Sequence, residues 1–416
     1  MKKLGNRFWA LLFYGLACNV GNVIFFPVMF YAPFQTVFQL TNTQIGNLTA
    51  AYASLAIPAY LVSGIIADKV NSKLLMMIST ISSTAVIFIM AIIPPYPVLL
   101  ACFFVLSITL GLFFWSSSSK LRRMLGEASE QGTISGVIQC IDGIVSLGFM
   151  VGLVALLGDS LSTASGMRTL LITFGILYTI STIGFIVTYD YKKFSELYVE
   201  DHGEPVRMKN YLIGLKMPVT WITSLMCFGV YITSTAFNYI NPYMASQYAM
   251  SASMAAIFGI LLRYGIKIVV TPVGGIIRDR INNTTKMIVA TALPTLILVI
   301  VFMFLPRGAG FTVLAVAVAL ILNCTYRMGN NLSMMPIAEL NVPLNLLGVI
   351  SGLTLFFGYF SDWFLPSLIG HWMDTKGDNA YYYVFSVAVV GLFLFILGAL
   401  WLKKELKRME SGRAAS

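Results

Sequence analysis

The chain has 416 residues, of which 58% are hydrophobic and 11% are charged, and its formal net charge is +10. Soluble domains carry about 25% charged residues, so this composition excludes an ordinary soluble protein. It indicates a protein that crosses a membrane many times and leaves almost no sequence for a soluble domain.

Apolar stretches long enough to cross a membrane follow one another along the whole chain. A helix needs about 20 apolar residues to span the ~30 Å hydrocarbon core of a bilayer. The predicted fold class is therefore an all-α integral membrane protein with 12 transmembrane helices. In chain order they cover residues 8–33, 44–67, 74–93, 97–118, 133–157, 168–189, 217–241, 252–277, 286–305, 310–332, 346–370 and 380–402.

Basic residues set the predicted orientation. Most of the 27 Lys and Arg residues fall on one side of the twelve-helix arrangement. The positive-inside rule makes that side cytoplasmic, together with both termini, in a plasma membrane or a bacterial inner membrane. Since topology explains most of the net charge, we expect the lipid bilayer as a partner and no nucleic acid.

The longest polar connection lies between predicted helices six and seven. Its mixed charges and a Gly-Glu-Pro break predict a cytoplasmic linker at 191–216. This linker separates an N-terminal six-helix bundle at 1–190 from a C-terminal six-helix bundle at 217–416, which ends in a short cytoplasmic tail.

Two short sequences occur once in each half. GIIADK at 64–69 is echoed by GIIRDR at 275–280, and GTISG at 132–136 is echoed by GVISG at 348–352. Because each pair falls at corresponding helices, we predict that the two bundles are pseudo-symmetric copies of one plan.

The first of these sequences places glycine and aspartate at the cytoplasmic ends of helices two and eight. Glycine lets helices approach closely, and an aspartate with basic neighbours can form charge pairs across a loop that opens and closes. The two copies resemble the G-x-x-x-D-[RK]-x-G-[RK]-[RK] loop of the major facilitator superfamily, although both lack the second glycine. The resemblance implies two six-helix bundles that rock about a central site, as in a secondary transporter.

That resemblance also implies a gating role for the residues of the two loops. They are Gly64, Asp68, Lys69, Lys73, Gly275, Asp279, Arg280 and Lys286. The alternative is that the two aspartates cap helices and accept hydrogen bonds from loop amides.

Two cations lie near the middle of predicted helix eight. Arg263 and Lys267 are spaced i, i+4 and share one helical face. A charge at this depth costs about 2.5–3.5 kcal/mol on insertion scales, and the nearest interface is too distant for snorkelling. We expect both to line a central cavity. The alternative is a structural ion pair, for instance with Asp362.

Arg327 in helix ten is a weaker candidate, because it can reach lipid headgroups or pair with Glu339. Neutral polar side chains in other helices complete the predicted substrate site. For each of them the alternative is a hydrogen bond between helices with no role in substrate binding. They are Asn19, Asn22, Tyr52, Gln139, Tyr231, Asn238 and Tyr239.

Fixed positive charge with amide and hydroxyl groups favours a small anionic substrate, because arginine forks onto an oxyanion. We predict a secondary active transporter for a carboxylate or sugar acid, coupled to protons through the buried acids Asp142 and Asp362. The alternatives are a phosphate-ester antiporter, an efflux carrier for amphipathic compounds or a transporter-like sensor.

The chain shows no pattern of residues typical of an enzyme. Its two histidines have no Ser-His-Asp, Cys-His or metal-ligand pattern around them, and its five cysteines fall in separate predicted helices. We therefore expect no catalytic residues, no metal and no cofactor, and we expect a monomer.

Overall fold

The structure is a computed structural model, and it describes residues 7–127, 130–196, 208–281, 283–343 and 346–414. Every regular element in these ranges is a helix. The predicted all-α membrane fold is therefore confirmed for the described chain.

The chain divides into two compact units. Unit 1 comprises Met1–His202 and Ala252–Ile260, and unit 2 comprises Gly203–Ser251 and Leu261–Ser416. The segment Ala252–Ile260 packs against the fifth membrane helix of unit 1.

We number the membrane crossings α1 to α12. The first six lie in unit 1, and three of them continue through a 3₁₀ or π-helical stretch. They are α1 (Phe8–Asn19, Val20–Phe25 and Phe26–Met29), α2 (Asn42–Lys69), α3 (Ser72–Ala91), α4 (Tyr96–Ile108, Thr109–Phe114 and Trp115–Met124), α5 (Gln131–Gly143, Ile144–Phe149 and Met150–Leu157) and α6 (Ala164–Thr188).

The remaining six crossings follow a short helix at Met208–Lys216, which lies within the predicted linker. They are α7 (Pro218–Phe237 and Ile240–Gln247), α8 (Ala252–Ile260, Leu261–Gly265 and Ile266–Ile281), α9 (Thr284–Met303), α10 (Thr312–Asn330), α11 (Leu347–Gly358 and Ser361–Lys376) and α12 (Ala380–Ala414).

Eleven stretches of the described chain are long and apolar enough to cross a membrane, and the last, Leu347–Ser411, is 65 residues long. At 1.5 Å per residue it would extend roughly 100 Å as one helix, about three times the hydrocarbon thickness. It turns instead at Gly377, whose φ of +53° is a conformation that glycine adopts without strain, and α11 packs back against α12. The predicted number of twelve crossings is confirmed.

Side-chain caps begin several of these helices. Thr41 accepts a hydrogen bond from the Gln44 amide at 3.1 Å and its own amide donates back to the Gln44 side chain, a complete capping box for α2. Asn71, Thr163 and Asn283 cap α3, α6 and α9 in the same position.

Close packing of α7 against α12 organises unit 2. A Cβ atom added to Gly391 would lie 2.5 Å from the carbonyl oxygen of Gly229 and 2.5 Å from the Thr233 hydroxyl. Glycine is therefore required at this contact, as it commonly is where membrane helices touch.

Six crossings leave α-helical geometry near their middle. In unit 1, α1 becomes a 3₁₀ helix after Asn19, and α4 and α5 become π-helical after Ile108 and Gly143. In unit 2, α7 breaks at Asn238 and Tyr239, α8 is π-helical at Leu261–Gly265, and α11 breaks at Tyr359 and Phe360. Backbone that departs from the regular α-helix at membrane depth is tolerated where it is buried in protein or lines a polar space.

Candidate functional site

A single stripe of α7 remains accessible in unit 2. Among the described candidate membrane spans, α7 is the most deeply buried. From Val219 to the break, its accessible positions recur every three or four residues. They are Trp221, Leu225, Phe228, Tyr231, Ser234 and Asn238. The first three are apolar and the last three are polar. Since polar groups at mid-membrane avoid lipid, we interpret the second part of the stripe as facing a polar space.

The break in α7 follows from Pro242. Proline has no backbone N–H to donate to the carbonyl four residues earlier, which is that of Asn238. The helix consequently ends at Phe237 and restarts at Ile240.

Arg263 meets the break in α7. It is half-buried within the π-helical stretch of α8, and its Nη1 donates to Asn238 Oδ1 at 3.4 Å. Its guanidinium carbon also lies 6.0 Å from the ring centroid of Tyr264. Single-turn π-helical stretches occur frequently at functional sites. The structure thus brings together two residues that the sequence analysis assigned to the substrate site.

Arg327 lies close enough to Arg263 for their positive charges to repel. Its Nε is buried and has no hydrogen-bond partner among the described residues. The predicted alternative partner, Glu339, accepts a hydrogen bond from the Thr284 hydroxyl. A buried N–H left without an acceptor costs about 1–3 kcal/mol, more for a charged group, so this position favours an anion.

The break in α11 places a carboxylate opposite α7. The Asp362 amide donates to the Tyr359 carbonyl at 2.9 Å, and Asp362 Oδ1 accepts a hydrogen bond from the Thr235 hydroxyl at 2.6 Å. One turn earlier on α7, the Tyr231 hydroxyl donates to the Tyr359 hydroxyl, with ring centroids 3.8 Å apart.

Two other predicted site residues of unit 2 have different surroundings. Tyr239 is buried, and its hydroxyl donates to the Pro366 carbonyl at 3.2 Å. Tyr239 therefore links the break in α7 to α11. Lys267 is exposed, whereas Arg263 is half-buried.

Unit 1 contains a network of neutral donors around Asp142. Buried Asn19 donates from Nδ2 to Asp142 Oδ1 at 2.9 Å, and the Ser146 hydroxyl lies 3.3 Å from the same oxygen. Asn22 donates to Asn19 Oδ1 at 3.1 Å. Three of the predicted residues are thus in one network, at the points where α1 and α5 change helical geometry.

The remaining predicted substrate-site residues of unit 1 are Tyr52 and Gln139. The Tyr52 hydroxyl accepts a hydrogen bond from Trp115 Nε1 at 3.3 Å. Gln139 is exposed, as is the neighbouring Cys140, the one exposed cysteine of the five.

The predicted gating residues are only partly described. Gly64, Asp68, Gly275 and Asp279 lie outside the residues whose surroundings the structure describes. Lys69 and Arg280 are exposed, and Lys286 lies in the first turn of α9, where its amide donates to the Asn283 cap.

Lys73 contacts the C-terminal end of α6. Its ammonium group donates to the Ile186 carbonyl at 2.8 Å, in the last turn of that helix. A cation there satisfies a terminal carbonyl and complements the helix dipole. This contact gives Lys73 a structural role within unit 1.

The sequence analysis missed Ser146, Thr235 and Tyr359, which contact the assigned residues. One signal was available, because Asn-x-x-Asn occurs at 19–22 in α1 and again at 238–241 in α7. In both units this pattern falls where the first helix of the bundle leaves α geometry, and the fifth helix carries an aspartate.

Comparison with known proteins gives the family context of this arrangement. A profile of the Major Facilitator Superfamily matches residues 11–366. The chain is 24% identical over 392 residues to Inner membrane protein YqcE of Escherichia coli (strain K12), covering 93% of this chain and 92% of that protein. It is 23% identical over 419 residues to Inner membrane protein YihN of the same organism, covering 99% of each.

The fold is also similar to that of a solved transporter. The crystal structure of a mutant of the nucleoside transporter NupG superposes with a TM-score of 0.72, covering 94% of this chain and 99% of that one at 13% identity. At this identity the similarity concerns the fold alone.

Proposed function

The chain belongs to the Major Facilitator Superfamily, and from that premise we propose that it moves a small organic anion, a carboxylate or sugar acid, across the bacterial inner membrane by alternating access. The two E. coli relatives are inner membrane proteins. We further propose that the protein acts as a monomer with both termini in the cytoplasm.

One observation carries the choice of an anion. The Nε of Arg327 is buried without a described hydrogen-bond partner, and a second guanidinium, that of Arg263, lies close enough to repel it. An oxyanion between the two groups would accept hydrogen bonds and offset their mutual repulsion. A neutral substrate could accept a hydrogen bond but would leave the repulsion in place, and a cationic substrate would add to it.

Proton coupling is proposed to act through Asp142. Its described side-chain partners, Asn19 and Ser146, are neutral donors. Protonation of this carboxyl would therefore leave no cation unpaired, and it would compensate charge as the loaded site closes. Asp362 is the second candidate.

The test is a thermal-shift screen of purified full-length protein against carboxylates, sugar acids, phosphate esters, amino acids and cationic drugs. It compares the wild type with Arg263→Gln and Arg327→Gln. Arg307→Gln is the matched control, because Arg307 stacks on Tyr382 of α12, with its guanidinium carbon 4.9 Å from the ring centroid.

We expect an anion at 100 times its Kd to raise the Tm of the wild type and of the control by several degrees, since binding adds about 2.7 kcal/mol to the unfolding free energy. Both site variants should remain folded and lose this shift. Stabilisation of all four proteins by cations or neutral compounds would favour the efflux carrier, and preference for phosphate esters would favour the antiporter.

A further inference from the structure

Two hydrogen-bonded residue pairs connect α7 to α11 in the middle of unit 2. Tyr231 pairs with Tyr359, and one turn further along α7, Thr235 pairs with Asp362. We call these four residues the α7–α11 polar pairs. They lie beside the polar part of the accessible α7 stripe, and three of them keep accessible surface, since only Thr235 is fully buried.

Asp362 has unused capacity to accept hydrogen bonds. An ionised carboxylate offers about four lone-pair sites, and the described chain supplies one side-chain donor, the Thr235 hydroxyl. A ligand whose only polar group is a carboxylate has no hydrogen to donate and would be repelled by Asp362. A ligand that carries hydroxyl groups can donate to it, and can both donate to and accept from the tyrosine hydroxyls.

The cationic end of the site follows on the same helix face. Asn238, which binds Arg263 at 3.4 Å, lies seven residues beyond Tyr231. Seven residues of α-helix extend about 10 Å. One small ligand can therefore reach a guanidinium with one end and the α7–α11 polar pairs with the other.

We infer that the transported anion is a polyhydroxylated carboxylate, with its carboxylate at Arg263 and its hydroxyl groups on Asp362, Tyr231 and Tyr359. This inference rests on the proposed function and narrows it to the sugar-acid class. It also gives Asp362 a role in substrate binding and leaves proton coupling to Asp142.

The experiment measures binding by isothermal titration calorimetry to purified full-length protein. The ligands are glucuronate and gluconate, which combine charge with hydroxyl groups, hexanoate, which has only the charge, and sorbitol, which has only hydroxyl groups. The variants are Asp362→Asn, Tyr231→Phe and Arg263→Gln. Asp378→Asn is the control, because Asp378 likewise accepts one side-chain hydrogen bond, from Gln247 at 2.6 Å, in unit 2.

We expect at least one sugar acid to bind the wild type about 10- to 100-fold more tightly than hexanoate, the range for losing hydrogen bonds to a charged group. Asp362→Asn should weaken sugar-acid binding by a similar factor, and it should not weaken hexanoate binding, because it removes the charge that repels hexanoate. Tyr231→Phe should weaken sugar-acid binding by a smaller factor, and Asp378→Asn should not change the affinity for any of the ligands.

Equal affinity for hexanoate and both sugar acids would overturn the inference, and this comparison needs only the wild type. The inference is also overturned if neither sugar acid binds while another anion binds in an Arg263-dependent manner. In that case the proposed function, transport of an organic anion, would still stand. If sugar acids bind equally well to Arg263→Gln, the anion site itself is wrong.

Discussion

A guanidinium group inside a membrane helix must find acceptors for five N–H donors. Arg263 has the Asn238 side chain as one of its acceptors, whereas the buried Nε of Arg327 has none among the described residues. A binding site that keeps a buried donor without an acceptor lowers the stability of the empty protein, and ligand binding can offset that loss. The two arginines should therefore respond differently to removal of their charge.

Replacing Arg327 by methionine should stabilise the empty protein. The substitution removes the repulsion from Arg263 and a buried donor without an acceptor, and such an unsatisfied donor costs about 1–3 kcal/mol. We expect a higher Tm without ligand and no further increase with the anion. Arg307→Met, which loses its contact with Tyr382, should not raise the Tm. A lower Tm for Arg327→Met would mean that Arg327 stabilises the folded protein and is not kept for ligand binding.

The sequence identified some site residues and not their partners. Arg263 and Asp142 stood out because charges are rare within apolar windows. Their contacts were not predictable, since Thr235 and Asp362 are 127 positions apart and Asn19 and Asp142 are 123 apart. No local pattern specifies which residues of different helices meet.

At the scale of elements, apolar windows predicted the helices but not their interruptions. The window at 252–277 gave no sign of the π-helical stretch at Leu261–Gly265, because hydropathy is insensitive to which carbonyl an amide binds. The α7 break was partly foreseeable from Pro242, which must disturb the preceding turn.

The contact between α7 and α12 should tolerate no side chain at Gly391. We expect Gly391→Val to destabilise unit 2 by about 1–3 kcal/mol or more, because the added carbons overlap the Gly229 carbonyl and the Thr233 hydroxyl. Thermal unfolding in detergent would measure this as a Tm lowered by several degrees. Gly348→Val is the matched control, since nothing lies within 4 Å of its Cβ position. Equal effects of the two substitutions would contradict the packing argument.

At the scale of the whole molecule, the two units share a plan but differ in charge. Each unit has Asn-x-x-Asn in its first helix and an aspartate in its fifth, yet the mid-helix cations Arg263 and Lys267 lie in the second half of the sequence. This asymmetry agrees with the proposed division of roles, in which unit 1 binds the proton and unit 2 binds the anion.

That division predicts the behaviour of Asp142→Asn in proteoliposomes. The substitution keeps the shape of the side chain and removes its proton-binding site, so the anion should still bind. An imposed pH gradient should drive accumulation in the wild type and only equilibration in the variant. Accumulation that persists in Asp142→Asn would exclude this residue as the coupling site, and wild-type uptake insensitive to the gradient would favour exchange.

The exposure of Cys140 provides a natural chemical reporter. The other four cysteines are buried or half-buried, so a maleimide should attach first to this one thiol, two residues from Asp142. Thiols react as thiolates, which form in water and not in hydrocarbon. The labelling rate of the unmodified protein would therefore report whether this face of α5 is hydrated, and whether substrate changes that hydration.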